Sequence, residues 1–339
     1  MCVHEIECGE DGRARRLGLF LFRTCLATSP LTSTHTQPNR PAALALRAFG
    51  AETATIQDAV KEPALAVARF VWWREAGAGV AAGKPPAHPV PRALAAALAG
   101  AAARGAPHPT AASLRYRLGR LADARAGLVA EPGPPGTLEA LEAYASDTAG
   151  GLAALQLGFG LDPATVDGPV AADADHAASH AGTGAGLAAI LRGVPHAAAR
   201  GRCQLPGDVM ERAGLDRDAL VRLAGSVLGT GGGGEGGAPP PPDPAALAAL
   251  REATYEVAVV ARGHLDAASR LVAGRTLPHP ATTPALLPAV GARRYLNALE
   301  RAGFDPLALA VVHRAGGQGA GGGVGLQLAT KWALVTGRV

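Results

Sequence analysis

The sequence predicts an all-α protein. Alanine and glycine dominate a chain of 339 residues that is 48% hydrophobic and only 4% aromatic. Alanine is the strongest helix former, and runs rich in valine, isoleucine or threonine, which strands favour, are few. Apolar residues instead recur at spacings of three and four, the period that places them on one face of a helix. The length suits one large domain or two ordinary ones.

Charge and cysteine usage exclude several classes of protein. The formal net charge is +4, and no run rich in lysine or arginine is interleaved with aromatics, so nucleic-acid binding is not indicated. The four cysteines form no CxxC pair, which argues against a disulfide framework and favours a reducing compartment. The longest apolar stretch near the start, 17–26, is broken by Arg23 and is too short to span a bilayer.

Residues 1–40 differ in composition from the rest of the chain. Arginines alternate with leucine and phenylalanine over 13–23, and serine and threonine are frequent over 28–36, a pattern typical of a mitochondrial presequence. Acidic residues over 5–11 oppose that interpretation, because presequences are poor in acids. We therefore expect 1–40 to be a poorly ordered segment, with a presequence as one interpretation, and 41–339 to form one helical domain.

Apolar spacing predicts nine helices outside the segment 173–215. The first begins at Pro41, a residue suited to the first helical position, and carries Leu46 and Phe49 on one face. Glycine-rich tracts at 231–242 and 316–325 are predicted to be mobile insertions, because they cannot bury enough apolar surface to offset their ordering entropy. The nine helices are predicted at 41–60, 65–80, 92–103, 110–126, 137–157, 215–228, 244–272, 283–302 and 325–335.

Gly182, Gly184 and Gly186 fall on one further predicted helix. Each glycine costs a helix about 1 kcal/mol relative to alanine. Close approach to a neighbouring helix, or a bend beside a cavity, is the expected structural reason for them. The apolar face that follows at 187–191 is expected to lead into a turn at Pro195.

Two histidines on the same helix, His176 and His180, are spaced i,i+4 with Asp175 beside them. This spacing could hold Zn²⁺ with a third ligand from elsewhere in the chain. A hydrolytic zinc site is unsupported, because the glutamate of an HExxH motif is missing. A hydrogen-bonded pair of histidines is the interpretation that we favour.

The segment 173–215 carries the most specific motifs of the chain. It contains DHAASH at 175–180, LRGVPHA at 191–197, RGR at 200–202 and LPGD at 205–208. This frame resembles the second signature region of the squalene/phytoene synthase family, where the helix ends in Leu-Arg-Asp-x-x-Glu-Asp. The resemblance implies an isoprenoid (terpenoid) synthase-type helical bundle of about a dozen helices around a central cleft.

The acidic positions of that signature are replaced in this chain by Gly193, His196 and Ala197. Enzymes of the family hold Mg²⁺ between carboxylates on two facing helices, and the metal binds the leaving diphosphate. At the place of the family's first acidic cluster, 51–55, only Glu52 is acidic. Its side chain is either a relic metal ligand or simply solvated. The resemblance therefore implies a non-catalytic relative with no metal and no cofactor.

The resemblance also implies which residues line the relic cleft. Arg192, Arg200 and Arg202 form a basic cluster that either contacts an anionic group or is solvated. Core packing is the expected role of both Trp72 and Trp73. The alternative is that one of them enters the core while the other lines a groove. The relic cleft residues implied by the resemblance are Glu52, Trp73, Tyr144, His176, His180, Arg192, His196, Arg200 and Arg202.

Within the family, the degenerate signature preceded by DHAASH resembles the branch of mitochondrial complex I assembly factors. That resemblance implies a protein of the mitochondrial matrix, peripheral to the inner membrane, which binds complex I subunits or other assembly factors. An isoprenoid or lipid ligand in the cleft is compatible with such work. Two alternatives stay open: an active prenyltransferase of the squalene/phytoene synthase type, and a module that only binds isoprenoids or lipids.

Overall fold

A computed structural model describes residues 40–105, 109–130, 135–161, 168–228, 241–273 and 283–315. Within these ranges the chain forms α-helices and one π-helical turn, and no strand, which confirms the predicted all-α fold. The α-helices are α1 Arg40–Ala59, α2 Pro63–Ala81, α3 Pro89–Ala103, α4 Ala111–Ala130, α5 Leu138–Ala145, α6 Gly151–Gly160, α7 Gly168–Ala198, α8 Gly207–Ala213, α9 Arg217–Leu228, α10 Pro244–Ala273, α11 Thr283–Arg301 and α12 Pro306–Ala315.

Apolar spacing located most of these helices to within a turn. For example, the helix predicted at 244–272 is α10, and the one predicted at 41–60 is α1. No helix was predicted at the position of α12. The predicted helix at 325–335, the tract at 316–325, most of the tract at 231–242 and nearly all of the segment 1–40 lie outside the described residues.

The buried side chains form two hydrophobic clusters, here called the first and the second core. The first core is built from α1 to α4 with α6, and Phe49, Phe70 and Leu118 are among its fully buried members. The second core surrounds α7 and takes in the helices that follow it, with Leu187 and Leu250 fully buried. No helix among the described residues is long and apolar enough to cross a membrane.

Gly182, Gly184 and Gly186 of α7 allow neighbouring helices to approach closely. A β-carbon on Gly182 would lie 2.6 Å from the carbonyl oxygen of Ala149, and one on Gly184 would lie 2.8 Å from that of Ala261. A β-carbon on Gly186 would lie 2.9 Å from the β-carbon of Ala149. Real side chains do not tolerate such distances, so the predicted reason for these glycines, close helix approach, is confirmed.

A π-helical turn, Ser146–Gly150, joins α5 to α6 without a break in the helix. Its last residue faces α7, since a β-carbon on Gly150 would lie 2.8 Å from Oγ1 of Thr183. The sequence analysis treated this region as one ordinary helix. The side chains of α5 and α6 therefore follow two different registers.

The prediction of a turn at Pro195 is wrong, because α7 continues through Pro195 to Ala198. Proline lacks the N–H that would bond to the carbonyl four residues earlier, so α7 continues here with one helical hydrogen bond missing. The next turn is retained, since Ala199 N donates to Pro195 O at 3.1 Å. The chain reverses a few residues later, where Gly201 adopts φ of 71°.

Candidate functional site

A cleft of about 410 Å³ opens between α1, α4, α5 and α7 and the loop that follows α7. Its apolar lining includes Leu128, Val129, Leu141 and Ile190. Its polar lining includes Tyr144 of α5, which agrees with the position that the family resemblance implies. The remaining residues that line the cleft are Gln57, Val60, Lys61, Pro63, Pro135, Arg202, Cys203, Gln204 and Arg217.

The charged side chains of this cleft are cationic. Lys61, Arg202 and Arg217 line it, and no carboxylate is among its described lining residues. Arg202 donates to Asp58 at 3.2 Å, and Arg217 donates to the Gly201 carbonyl at 2.6 Å. Across the described part of the chain, no group of three or more histidine, cysteine, aspartate or glutamate side chains could hold a metal ion.

Gln204 occupies the space beside Gly193, the first of the replaced acidic positions. A β-carbon on Gly193 would lie 2.8 Å from Oε1 of Gln204. That oxygen is buried and accepts no hydrogen bond. A longer side chain at position 193 would therefore have to displace Gln204 from the wall of the cleft.

A guanidinium lies between α1 and α4, close to the place where the family carries its first acidic cluster. Nη1 of Arg125 donates to the Gly50 carbonyl at 2.6 Å and to the Thr53 hydroxyl. Burial lowers the pKa of Arg125, and the neighbouring Tyr144 opposes that change. Arg125 and Gln204 belong to no motif, and the partners of Arg125 lie 72 and 75 residues away in the chain, so sequence reasoning missed both.

Of the nine predicted cleft residues, only Tyr144 and Arg202 are among those that line the cleft. Glu52 is exposed on α1 and is not among the residues that line the cleft. Trp73 is only 6% exposed and lies in the first core, where its ring meets that of Phe49 edge-on with centres 4.9 Å apart. Trp72 is 39% exposed, so the expectation of core packing holds for Trp73 and is wrong for Trp72.

Of the three arginines of the signature region, Arg202 lines the cleft. Arg192 and Arg200 are exposed, as is His196. Arg192 lies beside Tyr295 of α11; burial raises the pKa of this phenol, and Arg192 opposes the shift. Arg192 is not among the residues that line the cleft.

Histidines and one glutamate form a hydrogen-bonded chain across three helices. Nε2 of His176 lies 3.0 Å from Nε2 of His180, and Nδ1 of His180 lies 2.8 Å from Nδ1 of His264 on α10. Nε2 of His264 lies 2.9 Å from Oε1 of Glu142 on α5. The favoured hydrogen-bonded pair is therefore present, and it is extended by two residues that sequence spacing could not reveal.

The environment of this chain favours neutral His180. Burial is the largest cause of the lowered pKa of His180, followed by the neighbouring His264 and His176. Arg270 lowers it further, while Glu142 acts in the opposite direction. The lowered pKa therefore favours the neutral imidazole.

Curated relatives of this chain carry one name, "NADH dehydrogenase (ubiquinone) complex I, assembly factor 6". The mouse protein of that name is 28% identical over 264 residues, which cover 78% of this chain and 66% of the relative. The human protein is 27% identical over 268 residues, covering 79% of this chain and 68% of the relative. The matched region thus spans about two thirds of the length of these relatives.

Two solved structures with a similar fold are a dehydrosqualene synthase and a squalene synthase. A dehydrosqualene synthase in complex with ligand is 17% identical, with a TM-score of 0.64 and coverage of 94% of this chain and 95% of that one. A squalene synthase from Alicyclobacillus acidocaldarius is 18% identical, with a TM-score of 0.60 and coverage of 86% and 94%. These similarities establish the terpenoid synthase-type helical fold.

The family profile described as squalene/phytoene synthase matches residues 27–316. This match begins upstream of Pro41, the predicted start of the helical domain. It includes α1 to α12 and every residue of the cleft. The chain therefore belongs to the squalene/phytoene synthase family.

Proposed function

We propose that this protein is a non-catalytic assembly factor of mitochondrial respiratory complex I, which acts by binding through a degenerate prenyl-synthase fold. The observation that carries the proposal is the charge of the cleft: its described lining has three cations and no carboxylate. The name shared by the curated relatives supports the assembly role. Its partners are complex I subunits or other assembly factors.

The chemical argument concerns the metal. Ionisation of an allylic diphosphate needs Mg²⁺ to neutralise the leaving group, and Mg²⁺ is held by carboxylate oxygens. Gly193, His196 and Ala197 supply no such oxygen on α7, and Gln204 supplies only an amide. Lys61, Arg202 and Arg217 would attract a diphosphate but would repel the metal ions that activate it.

A direct assay tests the absence of catalysis. The protein is incubated with farnesyl or geranylgeranyl diphosphate and Mg²⁺, and released diphosphate is measured. We expect release equal to that of a sample without protein, while a dehydrosqualene synthase assayed in parallel gives robust turnover. Diphosphate release well above the blank would restore the prenyltransferase alternative.

The assembly role is tested in cells. Deletion of the gene should reduce assembled complex I on native gels, and expression of the full-length protein should restore it. The proposed location, the mitochondrial matrix at the surface of the inner membrane, is tested by fractionation and protease protection. Normal complex I in the deletion strain, or a protein found outside mitochondria, would contradict the proposal.

A second candidate function, binding of an anionic lipid or isoprenoid, is favoured by the mixed lining of the cleft. Apolar side chains from α4, α5 and α7 meet three cations there, which suits an amphiphile with a negative head group. Such a ligand would also give the protein a peripheral contact with the inner membrane. This function is compatible with the assembly role.

Charge reversal tests this candidate. A basic residue near an anionic membrane contributes about 1 kcal/mol to binding, so Lys61→Glu should weaken association with phosphatidylglycerol vesicles by roughly fivefold or more. Arg92→Glu on α3, an equal change of charge at an exposed residue outside the cleft, is the matched control. Equal losses in a cosedimentation assay would show that the cleft does not select the lipid.

A further inference from the structure

We propose that His176 and His180 form a binding site for a divalent transition-metal ion, supported by His264 and Glu142. This site is distinct from the cleft, since none of these four residues lines it. The proposal is also independent of the assembly role. It rests on the geometry of the hydrogen-bonded chain that links α7, α10 and α5.

The two proposed ligand atoms already converge. Nε2 of His176 and Nε2 of His180 are 3.0 Å apart, although their ring centres are 4.6 Å apart, so each ring turns this nitrogen towards the other. Metal–imidazole bonds measure about 2.0–2.1 Å, so an ion bonded to both atoms would subtend an angle of about 90°. That is the angle between adjacent ligands in tetragonal copper(II) or nickel(II) sites.

The outer partners select the tautomer that a metal needs. Glu142 as a carboxylate can only accept, so a neutral His264 donates from Nε2 and accepts at Nδ1. His180 then donates from Nδ1 to His264, which leaves Nε2 of His180 as a bare lone pair. Histidine ligands are typically oriented in this way, by donating their second N–H to a carboxylate or another acceptor.

Metal binding then requires one change of protonation. In the metal-free protein His176 donates its Nε2 proton to His180. The ion replaces that proton, which moves through solvent to Nδ1 of His176, so no net proton is released. His176 is exposed, which gives the ion a route to the site.

The site would be open rather than closed. The neighbouring Asp175 carboxylate already accepts from Arg117 at 2.7 Å, and the described residues supply no group of three metal ligands. The remaining coordination positions would be filled by water or by a donor from another molecule. A site with two protein ligands therefore fits an exchangeable ion rather than a structural one.

Copper(II) is the probe that tests the proposal. Tag-free, full-length protein is titrated by calorimetry, and the loaded form is analysed by electron paramagnetic resonance. We expect one site with hyperfine coupling to two imidazole nitrogens, and at least tenfold weaker binding in His176→Gln and in His180→Gln. Removal of the outer acceptor in Glu142→Ala should weaken binding about tenfold, the lower end for such residues.

The control variant is His196→Gln, which removes an exposed histidine from the end of the same helix. Its copper affinity should equal that of the wild type. Circular dichroism of the metal-free variants checks the fold, and His176→Gln, at an exposed position, is the variant least able to disturb it. Equal copper affinity in His176→Gln and the wild type, or an equal loss in His196→Gln, would overturn the proposal.

Discussion

Replacement of Trp73 by alanine is expected to lower the free energy of unfolding by about 4 kcal/mol. Truncation of a buried tryptophan typically costs about 3–5 kcal/mol, because apolar contact is lost and a cavity remains. Trp73 is 6% exposed and meets the rings of Phe49, Trp72 and His88 edge-on, with centres 4.9 to 5.2 Å apart. Urea denaturation followed by circular dichroism at 222 nm measures the change.

The adjacent Trp72 provides the matched control. It is 39% exposed, and its ring contacts those of Trp73 and His88 edge-on. Trp72→Ala should therefore cost about 1 kcal/mol, the typical value of an aromatic pair. Similar losses in the two variants would mean that Trp73 does not belong to the first core.

Alanine at Gly182 is expected to lower the free energy of unfolding by about 3 kcal/mol, although alanine favours helix. The added methyl group would lie 2.6 Å from the Ala149 carbonyl oxygen and 2.7 Å from Cα of Gly150. Both obstacles belong to the backbone, so α7 and the π-helical turn must move apart. Overpacking of this kind costs about 1–3 kcal/mol, and rigid backbone on both sides places Gly182 at the upper end.

The same substitution at Gly263 separates this effect from helix propensity. Gly263 lies inside α10, and a β-carbon there would meet no atom within 4 Å. Gly263→Ala should therefore stabilise the protein, by up to about 1 kcal/mol. A Gly182→Ala variant as stable as Gly263→Ala in urea would show that the two helices are free to separate.

The parts of the fold that follow from local spacing could be predicted from the sequence. A helix that buries one face repeats its apolar residues every three or four positions, as α10 does from Leu250 to Leu265. A turn was expected at Pro195 because proline usually ends or bends a helix, yet α7 continues for three residues beyond it. The short α12 was missed because ten residues hold too few repeats to stand out.

The candidate site was less predictable, since its decisive contacts are distant in sequence. His180 is separated from His264 by 84 residues, and His264 from Glu142 by 122. The replaced acidic positions could be identified from the motif alone, but not the position of Gln204 beside Gly193. That placement depends on how the loop after α7 folds back, which no local pattern encodes.

The π-helical turn between α5 and α6 sets the angular phase of one long helix. In an unbroken α-helix each residue turns about 100°, so Tyr144 and Leu155, eleven positions apart, would point within about 20° of each other. The extra residue of a π turn rotates everything beyond it by about 100°. Tyr144 can therefore line the cleft while Leu155 is buried in the first core. Deleting one residue from this turn would make the helix more regular. Tyr144 and Leu155 would then point to the same side, so one of them would leave its present environment.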